Sequence, residues 1–103
     1  MEDDVLRKLQ AWYESQCNGD WEHGNGIEIG TLDNPGWRVT IYLEGTSLED
    51  QFFQEVSDLE PERDWIRCWA IENKFEGRGG PKKLQDILRC FLQWALKKDR
   101  PVE

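Results

Sequence analysis

Apolar positions recur at helical spacing near both ends of the chain and at strand spacing between them. Val5, Leu6, Leu9, Trp12 and Tyr13 follow i, i+1, i+4, i+7, i+8, which predicts an N-terminal helix with one apolar stripe. Asp3 and Asp4 stand at its start, where carboxylates can cap free N–H groups and oppose the helix dipole. Cys17-Asn18-Gly19-Asp20 reads as the turn that ends it. Residues 26–32 then alternate, with Ile27 and Ile29 on one face, and residues 37–43 alternate with Trp37, Val39, Ile41 and Leu43 on one face. Between them Asn34-Pro35-Gly36 predicts a type II turn, with Pro at i+1 and Gly at i+2, so the two runs form a hairpin.

Residues 46–60 do not choose between helix and strand by spacing alone. Leu48, Phe52, Phe53 and Val56 fit a helix loosely, while 53–59 can be a strand. A strand is preferred, because residues 65–71 are β-rich and need a neighbour. Glu60-Pro61-Glu62-Arg63-Asp64 reads as the turn between them. Gly79-Gly80-Pro81 reads as a loop that places Pro81 at the first position of a last helix. That helix carries Leu84, Ile87, Leu88, Phe91 and Ala95 as its stripe, widened by Leu92 and Trp94. Lys97, Lys98 and Arg100 suit its C-terminus, and Pro101 stops it. The order predicts a single α+β domain over 1–103: a four-stranded antiparallel sheet flanked by an N-terminal and a C-terminal helix, both on one face.

Composition narrows the class. The 103 residues are 38% hydrophobic and 33% charged, with six tryptophans and a formal charge of −8. No apolar run approaches the ~20 residues of a membrane span. The acidic Met1-Glu2-Asp3-Asp4 start is unlike a secretory leader. Three cysteines without close pairing argue against a disulfide framework and for a cytoplasmic setting. A pI near 4.6 argues against nucleic acid as a partner and for a basic protein. The charge is also uneven: residues 9–62 hold 12 acids and one base, Arg38, whereas residues 78–103 hold 7 bases and 3 acids.

Chemistry is sparse. The one histidine, His23, lies six residues after Cys17, so a thiol–imidazole pair, as in a small sulfurtransferase-like enzyme, is one reading. The other reading has Cys17 packed at a helix end and His23 on a strand edge. Cys17 lacks electropositive neighbours, and Cys68 and Cys90 read as small core hydrophobes. No spacing suggests a zinc or calcium site, so no metal or other cofactor is expected. Gly77, Gly79 and Gly80 precede the last helix without the pattern of a phosphate loop, so helix entry is the simpler account. Trp12, Trp37 and Trp94 read as core. Trp65 and Trp69 alternate with Ile66, Cys68 and Ala70, so one face of that strand, together with Tyr42 and Arg38, can form an open aromatic surface suited to protein binding. Burial of that face beneath the chain's own loops is the alternative.

Across nearly the whole chain the sequence resembles the immunity protein 53 family. The resemblance runs through Trp12-Tyr13, Gln16-Cys17-Asn18-Gly19-Asp20-Trp21-Glu22-His23, Gly26-Ile27 and Thr31-Leu32-Asp33-Asn34-Pro35-Gly36-Trp37. It continues through Asp64-Trp65-Ile66, Cys68, Phe75-Glu76-Gly77 and the last helix, and departs at Asn25, where the family suggests an aromatic residue. The resemblance implies a bacterial protein of polymorphic toxin systems that binds and inhibits a cognate toxin without catalysis. A basic nuclease is a natural target for so acidic a chain. The expected contacts are Glu44, Glu49, Asp50, Glu55, Asp58, Glu60 and Glu62. Asp20, Glu22 and His23 are read instead as a structural network at the helix–strand turn.

Overall fold

The computed structural model describes residues 4–24, 26–60 and 64–99. Helix α1 spans Val5–Gln16, the single-turn α2 Trp21–Gly24 and α3 Leu84–Asp99. Strands are β1 (Ile27–Leu32), β2 (Gly36–Tyr42), β3 (Val56–Asp58), β4 (Ile66–Ile71) and β5 (Lys74–Gly79). The class is α+β, as the pattern predicts, but the antiparallel sheet has five strands rather than four, in the order β1-β2-β5-β4-β3.

The extra strand is β5, and it sits in the middle. Its glycines hid it. A Cβ on Gly77 would overlap Cγ2 of Ile87, and one on Gly79 would lie 2.7 Å from Cβ of Lys83. Gly77 and Gly79 are therefore where α3 crosses the sheet, and only hydrogen fits beneath the helix. The hairpin that makes β5 turns on Glu72 and Asn73, at φ 51° and 58°. Two successive residues with positive φ are the type I′ geometry that matches strand twist.

Three local expectations need correction. Gly36 does not have positive φ and already lies in β2, so the β1–β2 turn is not type II about Gly36. Glycine is required there because a Cβ would overlap the carbonyl oxygen of Gly79 on the neighbouring strand. Pro81 is not the first residue of α3, which begins at Leu84. Instead, the Pro81 carbonyl accepts a hydrogen bond of 2.9 Å from Trp37 Nε1. Asp4 flanks α1, but its side chain makes no cap and pairs with Arg7 at 3.0 Å. Asp3, Asn25, Glu62, Arg63, Arg100 and Pro101 lie outside the described residues.

Helix α3 lies across β2, β5 and β4, and α1 packs on α3. Ile87, Leu88, Phe91, Leu92 and Ala95 of α3 meet Val39, Ile41, Cys68 and Phe75 of the sheet in one buried cluster. Val5, Leu9 and Trp12 complete it from α1, while Leu6 of the expected stripe stays exposed. Phe91 stands at the centre, with ring centroids 4.9 Å from Trp12 and 5.1 Å from Phe75, both edge-on. Such edge-to-face pairs add about 0.5–1.5 kcal/mol each beyond the area they bury.

Candidate functional site

The connection from β2 to β3 carries most of the expected contact residues. Its backbone is held at several points. Leu43 and Leu48 are buried, and the Thr46 hydroxyl donates to Leu43 O at 2.6 Å while accepting from Leu48 N at 3.1 Å. Ser47 N donates to Gln16 Oε1 of α1 at 2.9 Å, which fastens the loop to the first helix. Asp50, at φ 61°, donates its N–H to Asn73 Oδ1 at 2.8 Å and accepts from Asn73 Nδ2 at 3.1 Å. The loop is thereby tied to the β4–β5 turn. Further on, Trp94 Nε1 donates to Phe52 O at 2.8 Å, and Phe53 packs edge-on against Phe75 and Trp94.

Those anchors sort the carboxylates. Glu49 accepts from Gly45 N at 3.3 Å, Asp50 is committed to Asn73, and Glu55 pairs with Arg67 at 2.8 Å. Glu44, Asp58 and Glu60 are exposed, and no ion pair is recorded for them among the described residues. Interleaved with them are apolar side chains turned to solvent: Phe52 is 72% exposed, Leu59 58% and Val56 41%. Strand β3 is only three residues long and forms the sheet edge, paired on one side with β4. The ambiguity of residues 46–60 thus resolves into a pinned loop followed by a short strand, with no helix.

The turn after α1 is a closed hydrogen-bonded unit. Glu22 accepts from Asn18 N at 2.9 Å and Gly19 N at 2.7 Å, while Asn18 Oδ1 accepts from Asp20 N and Trp21 N. Hydrogen bonds from its own backbone N–H and from those of Asn18 and Gly19 hold the Glu22 carboxyl below its ordinary range. Trp21 is buried against Trp12 and donates its indole N–H to Tyr42 O at 2.9 Å, which fixes α2 on the end of β2. His23 is exposed on α2 rather than at a strand edge, and the Cys17 thiol donates to Tyr13 O at 3.3 Å. The arrangement brings no thiol and imidazole together. Cys68 and Cys90 do meet, between β4 and α3. The hydrogen bond between them, with burial, pushes the Cys68 thiol far up, and the same hydrogen bond lowers that of Cys90 against the effect of burial.

Two large constraints on chemistry remain. Among the described residues no three His, Cys, Asp or Glu side chains come together as a metal site, and no helix is long and apolar enough to cross a membrane. Cys68 is fully buried in the core and Cys90 packs partly buried against it.

The chain matches the family model described as Immunity protein 53 over residues 6–96, which takes in every element from α1 to most of α3. It belongs to the immunity protein 53 family. Searches of the curated proteins and of the solved structures returned no match. Family membership makes this an immunity protein, whose work is to neutralise a toxin, and it directs attention to binding surfaces rather than to a reaction centre. The matched segment includes the whole rim from Glu44 to Glu60.

What sequence reasoning missed lies on the other face of the sheet. The strand register sets Arg38 of β2 opposite Arg78 of β5, and Arg78 opposite Arg67 of β4. Trp69 is on the same face, with the Arg67 guanidinium 4.1 Å and that of Arg78 5.4 Å from its ring centroid. Arg38, Trp69 and Tyr42 were each legible as members of an open face. Arg78 was not, because it belongs to the strand that its glycines concealed.

Proposed function

We propose that this immunity protein acts in the cytoplasm, neutralising a toxin of a polymorphic toxin system by binding it through the rim formed by the β2–β3 loop and β3, and that the toxin is a basic nuclease. One observation carries the reading: Glu44, Asp58 and Glu60 stand exposed and without ion pairs among the described residues, in the same segment as exposed Phe52, Val56 and Leu59. Unpaired charge next to apolar area is what a protein interface uses, one for encounter and the other for retention. Glu62 extends the same acidic segment in sequence. Nucleases carry clustered Lys and Arg to hold phosphates, so an acidic rim is complementary to them. Steering of this kind raises association to roughly 10⁸–10⁹ M⁻¹s⁻¹ at low salt, an advantage when the free partner is lethal.

The test is rescue followed by kinetics. Co-expression with the toxin encoded beside this protein restores growth, and purified toxin binds with an association rate that falls steeply with salt. The pair Asp58→Lys and Glu60→Lys slows association by tenfold or more while the thermal melt is unchanged. Absence of rescue and of binding would refute the toxin-neutralising reading. Unchanged association in the charge-reversed pair would remove the rim from it, and a toxin with no nuclease activity would remove the target class.

A further inference from the structure

The face of the sheet turned away from α1 and α3 carries a charge opposite to that of the molecule. Arg38, Arg78 and Arg67 stand abreast on β2, β5 and β4. Like charges directly opposite each other on neighbouring strands are destabilising, so the row is held against its own repulsion. Local carboxylates offset only part of it. Arg67 pairs with Glu55 at 2.8 Å, and Arg78 pairs at 3.2 Å with Glu76, whose carboxylate also accepts from the Thr40 hydroxyl at 2.7 Å. Arg38 has no carboxylate recorded against it among the described residues, although it is the one base in the acidic stretch 9–62.

The row is also ordered in advance. Trp69 lies beneath the guanidinium groups of Arg67 and Arg78, and Lys74 lies over the Tyr42 ring at 5.9 Å. Arg38 reaches over β1 at Gly30, where a Cβ would come within 3.1 Å of its Nε and Nη2. Glycine at that position lets the guanidinium lie flat on the neighbouring strand. Guanidinium forks fixed on aromatic faces lose little freedom when they bind, and their geometry matches carboxylates bidentately. Arg, Trp and Tyr are also the side chains that dominate binding hot spots.

We propose that this open sheet face is a second contact surface, which takes a carboxylate-bearing segment of the same toxin that the acidic rim engages. The proposal rests on the toxin-binding reading and adds to it the chemistry of the partner's other half. Charge complementarity selects the occupant. Four cations on this face stand among three carboxylates, Glu28, Glu55 and Glu76, which is too nearly balanced for a nucleic-acid backbone but suits a few paired carboxylates. The whole chain carries −8 and repels a generally acidic protein at a distance. The carboxylates therefore belong to a local patch on a partner that is basic elsewhere. Continuity supports the same conclusion: β3 adjoins β4, and the Glu55–Arg67 pair joins rim to face, so one partner can span both.

Arg38 is the residue to change, because it is only partly buried and its side chain makes no hydrogen bond or ion pair among the described residues. With toxin as the probe, Arg38→Ala weakens affinity at least tenfold and Arg38→Glu weakens it further, through faster dissociation, with melts no lower than the wild type because the facing Arg78 loses a like charge. Arg38→Lys recovers only part, since a point charge replaces a fork. Toxin variants selected to restore binding to Arg38→Glu carry an Asp or Glu changed to Lys or Arg. If Arg38→Ala and Arg38→Glu bind as the wild type does while the Asp58→Lys, Glu60→Lys pair fails, the face inference is overturned and the toxin-binding reading stands. If the wild type itself does not bind toxin, both fall. If a single-stranded oligonucleotide binds at physiological salt in an Arg38-dependent way, the occupant is nucleic acid and the proposal is overturned.

Discussion

Substitution of Gly77 by alanine tests the central packing of the fold. The added Cβ would overlap Cγ2 of Ile87, a side chain with no exposure, on a helix held by Leu88 and Phe91. Neither partner can turn aside, because β5 is the central strand and is hydrogen-bonded to β2 and β4 on its two sides. Overpacking of this kind costs about 1–3 kcal/mol. Replacing glycine in a strand returns roughly 0.5–1 kcal/mol of chain entropy, so a net loss of about 1–2 kcal/mol is expected. Ile87→Ala alone should cost about 2–5 kcal/mol by opening a cavity at the same point. In the double variant the alanine methyl enters that cavity, and the combined loss falls short of the sum by about 1 kcal/mol or more, well outside the ~0.3–0.5 kcal/mol scatter of independent sites. Urea unfolding of the four proteins measures the cycle, and calorimetry checks it, since 1 kcal/mol moves the melting temperature of a domain near this size by about 4–8 °C. Gly77→Ala within ~0.5 kcal/mol of the wild type, or strict additivity, would show that the glycine does not seat the helix.

Three further outcomes follow from local geometry. The Glu22 carboxyl is held below its ordinary value of 4.5, so its contribution is fully present above that pH and is lost as pH falls through the lowered folded value. Glu22→Gln should therefore melt lower at neutral pH and show a flatter acid limb than the wild type; parallel limbs would contradict the assignment. Glu72 at φ 51° occupies the first position of a type I′ turn, so Glu72→Asn should stabilise the fold by about 0.5–1 kcal/mol in urea unfolding, and a loss would argue against that turn. Of the two core thiols, the hydrogen bond from Cys68 favours the thiolate of Cys90, so iodoacetamide at mildly alkaline pH modifies Cys90 first; peptide mapping that finds Cys68 first would reverse the donor assignment.

Periodic apolar pattern made α1, α3 and the β1–β2 hairpin legible, because most of each stripe is buried, although Leu6 and Tyr13 of α1 and Ile29 of β1 are exposed. Strand β5 left no such trace. Its inward positions are Phe75, Gly77 and Gly79, and two of the three have no side chain because a helix rests on them. Strand β3 was ambiguous for the opposite reason: all three of its residues are exposed, so no face is marked by burial. The same division applies to the site. The acidic residues of the rim could be read from sequence. That Asp50 and Glu55 are tied to Asn73 and Arg67, leaving Glu44, Asp58 and Glu60 open, depends on contacts between segments 12 to 23 residues apart. The arginine row depends on register alone.

Register changes the meaning of the charge asymmetry. Along the chain, residues 9–62 form a block of net −11 in which Arg38 is an isolated exception. In the folded protein Arg38 leaves that block and joins Arg78 and Arg67, drawn from the evenly charged half. The far field is still set by the net −8, because at distances larger than the spacing between the patches their potentials sum, and salt damps that sum over a Debye length of about 8 Å. Within contact distance, the side chains immediately facing the partner decide. The two patches should thus separate kinetically: rim carboxylates govern association and its salt dependence, whereas the ordered guanidinium groups govern dissociation. A surface that used one sign of charge for both tasks would bind many basic proteins. Two adjacent patches of opposite sign require a partner whose own charges alternate in the same way, which supplies selectivity that net charge alone cannot.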